Sequence, residues 1–129
     1  MSSNYSNYRI SIGGVTLNDT MVSKGTYRLE KAEREINAWR DANGTDHIDN
    51  YNDMKTVITF SLRERSLAEQ EAIITMFSSL ENLSVTYWDD FVANYSTGTF
   101  FMHPPEFRHR NIEKDSILYD TTEIVLEEY

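Results

Sequence analysis

Residues 55–80, KTVITFSLRERSLAEQEAIITMFSSL, change hydrophobic period partway along, and that change restricts the fold more than any other feature of the chain. In KTVITFSLRER, Ile58, Phe60 and Leu62 alternate with Val57, Thr59 and Ser61, the period of a β-strand with one face inward. Immediately afterwards Ser66 and Glu69 stand three apart as a capping box, which predicts a helix over Leu67 to Leu80. Ile73, Met76, Phe77 and Leu80 give that helix an apolar stripe at i, i+3, i+4 and i+7, while Glu69 and Glu71 suit its positive N-terminal end. A one-faced helix directly after a one-faced strand must pack against a sheet.

The remaining segments read mostly as strands. YRISIGGVTL alternates Tyr8, Ile10 and Ile12 with Arg9 and Ser11, and Gly13-Gly14 supplies the positive φ angles of a tight hairpin before Val15. Asn18-Asp19-Thr20 ends that hairpin. LSVTYW places Leu83, Val85 and Tyr87 on one face, GTFFMH follows as a strand, and ILYDTTEIVLEEY supplies one or two more, with Ile124 and Leu126 sharing a face. PPEFRHRNIEKDS, opened by Pro104-Pro105, is expected to be a connection. Thr26–Asp41 is the ambiguous segment, because Leu29, Ala32, Ile36 and Trp39 recur at helical spacing and Glu30/Arg34 and Lys31/Glu35 are i,i+4 pairs. The stretch Asp41–Met54, dense in Asn and Asp, reads as a long loop, and a loop of that length in a small domain tends to be functional or interfacial. The sum is about seven strands and one helix: a mainly β sandwich or barrel with one flanking α-helix at about 67–80. Residues 1–7 are expected to form a polar arm and residues 8–129 a single domain.

Composition narrows function by exclusion. The chain of 129 residues carries a formal charge of −9, opposite to what gripping nucleic-acid phosphates requires, so specific nucleic-acid binding is disfavoured. It has no cysteine, so no disulfide, thiolate nucleophile or cysteine zinc site. No apolar run approaches the ~20 residues that span a bilayer, and MSSNYSN lacks the features of a signal peptide, so neither membrane insertion nor secretion is expected.

YWDDFVANYSTGTFF is where chemistry could sit, with Asp89 and Asp90 among six aromatic residues. Adjacent residues of a strand point to opposite faces, so two such carboxylates cannot flank one substrate, whereas Asp at a strand end commonly starts a turn. His47, His103 and His109 match no zinc-site spacing, and the serines lack a nucleophile elbow. No catalytic residue, metal ligand or cofactor is therefore expected. The alternative is a small monomeric ligand-binding or enzymatic β-barrel using Asp89, Asp90 and the aromatic side chains in its mouth.

The order of segments resembles a small family of tailed-bacteriophage and prophage tail proteins of tail-tube-like fold. Its marks here are Arg40 to Gly44 (Arg-x-x-x-Gly), a strand ending in Leu62, the capped helix, Val85-Thr86-Tyr87, an acidic turn and Gly98-Thr99-Phe100. The resemblance spans about Thr26 to Leu126; family members often carry Asp-Pro after the Tyr, where this chain has Trp88-Asp89-Asp90-Phe91. It implies a structural virion protein of the tail tube, tail tip or baseplate, assembled in the bacterial host cytoplasm as a ring, six-fold by analogy, around the DNA channel. Its partners would be itself and neighbouring tail proteins. The resemblance also implies that Thr26–Ile36 is a strand despite its helical propensity. Candidate inter-subunit contacts are Tyr5 and Tyr8 from the arm and its junction, and Arg40, Asn43, His47, Asp49 and Tyr51 from the loop. Asp89 and Asp90 are candidate turn or lumen acids.

Overall fold

The alternation around Phe60 becomes the long strand β4, in which Thr56, Ile58, Phe60 and Leu62 are buried while Val57, Thr59 and Ser61 are only half-covered. The structure, a computed structural model, describes residues 5–33 and 54–129. Among these, ten strands occur: β1 (Tyr8–Ile12), β2 (Val15–Asn18), β3 (Arg28–Glu33), β4 (Met54–Leu62), β5 (Arg65–Ser66), β6 (Leu83–Asp89), β7 (Asn94–Met102), β8 (His109–Glu113), β9 (Ser116–Tyr119) and β10 (Thr122–Glu128). Seven form one antiparallel sheet in the order β2-β1-β6-β7-β10-β4-β3, and β5-β9-β8 form a second, smaller one.

The large sheet keeps all its buried side chains on one face: Ile10 and Ile12, Leu17, Val85 and Tyr87, Phe100 and Met102, Ile58 and Phe60, Ile124 and Leu126. A sheet with so much apolar area on one side must curl or be covered, and here both occur. Curling brings β3 to the end of β6, where the Tyr27 hydroxyl donates to the Trp88 carbonyl at 2.8 Å. Burial raises the Tyr27 pKa, which keeps this hydroxyl a neutral donor. Covering comes from the helical segment through Ile73 and Met76, both buried in the same core.

The helix α1 (Leu67–Ile73) begins at the expected capping box: the Ser66 hydroxyl accepts from the Glu69 N–H at 3.3 Å and the Glu69 carboxylate accepts from the Ser66 N–H at 3.1 Å. It ends at Ile73 rather than Leu80, and Ile74–Phe77 continue as a 3-10 turn. Ile73-Ile74-Thr75 are three consecutive β-branched residues, which crowd the preceding turn of an α-helix. The tighter turn still delivers Met76 to the core and lays Phe77 and Leu80 against it. Ser66→Ala removes one arm of the box and is expected to cost about 1 kcal/mol, read as a shift of the denaturant midpoint at unchanged slope.

Two further expectations meet the structure here. Arg28–Glu33 is a strand paired along β4 from Thr59 to Met54, so ladder pairing overrides helical propensity over those residues; 34–36 lie outside the described residues. The connection after Pro104-Pro105 holds a strand that alternation does not reveal: β8 pairs with β9 through a register shift between His109 and Asn111. Its residues 109–112 are exposed, so no burial imposes a hydrophobic period on them.

One buried charge joins the two sheets. Arg65 is 1 % exposed. Its Nε–H donates to Gln70 Oε1, Nη1 to the carbonyls of Arg63 and Asp120 (both 3.2 Å), and Nη2 to Thr122 Oγ1 (3.0 Å). The guanidinium carbon lies 5.4 Å from the Tyr119 ring centre and 5.9 Å from that of Phe107. Burial lowers its pKa, and the compensation comes from neutral acceptors and ring faces, since the nearby Glu69 pairs with Arg63.

Candidate functional site

The β6–β7 turn is built from the side chain of its first acid. Asp89, the last residue of β6, is 5 % exposed; its Oδ1 accepts from the Phe91 N–H at 2.9 Å and its backbone carbonyl accepts from the Val92 N–H at 3.2 Å. Oδ2 accepts from the Ser96 hydroxyl at 3.0 Å and faces Lys31 Nζ at 3.9 Å. Ala93 closes the turn in the left-handed region, with φ of 51°. Asp90 is exposed in that turn. The two carboxylates therefore occupy opposite environments, one enclosed by donors and one in water.

Around Asp89 lies a polar cluster assembled from distant strands. Lys31 Nζ donates to Thr56 Oγ1 at 2.7 Å and sits 5.3 Å from the Phe91 ring centre. Thr56 Oγ1 lies 3.5 Å from the Tyr87 hydroxyl, and the Thr56 N–H donates to Glu128 Oε1 at 3.0 Å. Burial raises the Tyr87 pKa, with Asp89 and Glu128 adding to the rise. Tyr87 and Phe100 meet edge-on at 5.5 Å, anchoring the two strands.

Gly98 is not part of the turn; it pairs with Val85 in mid-strand. A Cβ there would meet Glu128 Oε2 at 2.9 Å and the Phe100 ring at 3.0 Å, so the glycine makes room for the side chains that pack over it.

The aromatic residues on the other face of β6 and β7 receive residues 5–8. Tyr5 meets Trp88 edge-on at 5.3 Å, Tyr8 stacks on Tyr95 at 4.8 Å, and the Ser6 N–H donates to the Tyr95 hydroxyl at 2.9 Å. The Tyr5 hydroxyl donates to Asp19, which also pairs with Arg9 at 3.2 Å; burial and Asp19 push the Tyr5 pKa up to about 12. Residues 5–7 thus lie against the sheet face turned away from the core. Arg40, Asn43, His47, Asp49 and Tyr51 lie outside the described residues.

Among the described residues, His103 and His109 are not gathered near Asp89 and Asp90, and His47 lies outside them. His103 Nε2 lies 3.2 Å from Glu127 Oε1 and stacks on Phe101, while His109 packs edge-on to Tyr119. Among the described residues no group of three metal-ligating side chains occurs. A hollow of about 580 Å³ lies at the other end of the large sheet, lined among others by Ser61, His103, Pro104, Pro105 and Asp120, and Asp89 does not line it.

Glu127 and Glu69 make the fold acid-sensitive. Lys55, at 2.6 Å, and then His103 hold the Glu127 pKa down, and Arg63 with the Ser66 backbone does the same for Glu69. A carboxyl with a lower pKa in the folded state contributes stability that is complete above its unfolded value and is lost as pH falls through the folded one. Melting temperature should therefore drop on acidification below about pH 4.5, and Glu127→Gln should flatten that drop. A wild-type profile unchanged from pH 7 to pH 3 would contradict both assignments.

The fold class is now defined: antiparallel β throughout, one short flanking helix, and a long curled sheet with a small second one. The chain belongs to a family of unknown function, DUF6711, whose model matches residues 1–129. None of the curated proteins matches it. Two solved structures share its fold. One is a chain in the tail of an empty gene transfer agent (GTA) particle, computed with helical refinement in C6 symmetry: 10 % identity, TM-score 0.52, covering 99 % of this chain and 95 % of that one. The other is a chain in the virion of a native gene transfer agent particle: 9 % identity, TM-score 0.53, with the same coverage. At such identities the likeness is one of fold.

Proposed function

We propose that this chain is a structural, non-enzymatic protein of a phage-like tail, whose copies form a ring around the DNA channel and dock to neighbouring tail proteins within the virion. The observation that carries the reading is the end-to-end match of its fold, across 99 % of the chain, to a protein in a C6 helical tail. Three features of the chain support it. The strands β2, β3 and β8 each pair on one side only among the described residues, so they offer edges that a neighbour can satisfy. The charge of −9 per copy, repeated around a ring, makes a lumen that repels phosphates and lets DNA pass without sticking. The buried acid Asp89 is engaged in shaping a turn and not set against a second carboxylate.

Sedimentation velocity of the purified chain tests the reading. A closed species near six times the 15.1 kDa chain mass is expected for a six-fold ring. A persistent 15.1 kDa species that binds a small molecule saturably would favour the ligand-binding barrel instead.

A further inference from the structure

The turn that Asp89 builds has an apolar tip. Phe91 and Val92 are 64 % and 61 % exposed, adjacent, and carried on a turn whose backbone is fixed by two bonds to Asp89 and by the left-handed Ala93. Single exposed apolar residues are ordinary, but two large ones on a rigid projection are a contact surface in waiting. The chain's most exposed large apolar side chain among the described residues is Ile112, 70 % exposed on β8, a strand with one open edge. The turn lies at one end of the large sheet, and β8, in the small sheet, lies beyond the other end. β7 leaves the turn at Asn94 and runs to Met102, about 27 Å away at strand rise. Residues 103–108 then lead into the β8–β9 hairpin, which joins β5 just beyond the Leu62–Thr122 pair.

We propose that Phe91 and Val92 of one copy dock on the β8–β9 hairpin of a second copy, against Ile112, giving a head-to-tail contact. This rests on the ring reading above and adds to it the surface by which one ring meets the next. Unlike surfaces at opposite ends make a heterologous contact, which repeats along an axis instead of closing on itself as a two-fold pair does. Charge agrees: Asp90 is exposed beside Phe91, while Arg108, just before β8, and Arg110, within it, are exposed and pair with the surface carboxylates of Glu106 and Glu64. Such surface pairs are weak and readily exchanged for a new partner.

The cysteine-free chain permits a clean test. Val92→Cys and Ile112→Cys are purified separately, mixed and mildly oxidised. The mixture should yield a disulfide-linked dimer at least tenfold faster than either variant alone or than Val92→Cys mixed with Ile74→Cys, another exposed position. Phe91→Ser with Val92→Ser should lower the melting temperature by no more than about 5 °C, through the lost Lys31 contact, keep single rings and abolish stacks. Cross-linking no faster than the Ile74 control, or stacks of normal length in the double variant, would overturn the contact while leaving the ring intact. A wild-type chain that forms no rings would contradict the ring reading itself.

Discussion

Replacing Arg65 with alanine should lower the unfolding free energy by about 3–5 kcal/mol, the range seen when a buried charged network loses a member. The side chain donates at once to Gln70, to the carbonyls of Arg63 and Asp120, and to Thr122, of which Gln70 and Thr122 are themselves buried. Without it the buried Gln70 and Thr122 lose that donor, and the rings of Tyr119 and Phe107 lose the group they pack on. In a domain of this size the loss corresponds to about 10–20 °C of melting temperature. Arg65→Lys should recover only part of it, because an ammonium cannot span acceptors placed for a planar fork. Arg65→Met should fall between, restoring volume but no donors. An alanine variant melting within about 2 °C of wild type would show that β5, β9 and β10 are held together by something else.

The second large effect separates two neighbours that look alike in sequence. Asp89→Ala should cost about 2–3 kcal/mol, because Phe91 loses the acceptor that starts the turn, Ser96 loses its partner, and Lys31 is left beside no carboxylate at that position. Asp90→Ala, at an exposed turn position, should stay within about 0.5 kcal/mol of wild type. Asp89→Asn should lie between, keeping an acceptor for one donor while losing the charge opposite Lys31. Denaturant midpoints for the three variants decide the matter, and equal losses at 89 and 90 would contradict the division of roles.

These variants also mark where sequence reasoning reached and where it stopped. β4 and the start of α1 were legible because their signals are local: a period of two, then a cap three residues from its partner. The helix's length was not, because the Ile73-Ile74-Thr75 run tightens it although the apolar stripe continues. Arg65 read as the polar end of a strand; its burial depends on β9 and β10, more than fifty residues further on. Asp89 read as a turn initiator from its position alone, but Lys31 and Thr56 come from strands that only the curl of the sheet brings close. β8 gave no signal because its residues 109–112 are exposed. For Arg28–Glu33, the resemblance and local propensity pointed opposite ways, and six paired residues along β4 follow the resemblance.

Negative-stain electron microscopy of the purified full chain tests the central claim most directly. Closed rings with a central channel and a single rotational symmetry, alone or stacked, are the predicted result. Monodisperse particles of single-chain size at every concentration, with no rings or tubes, would contradict it.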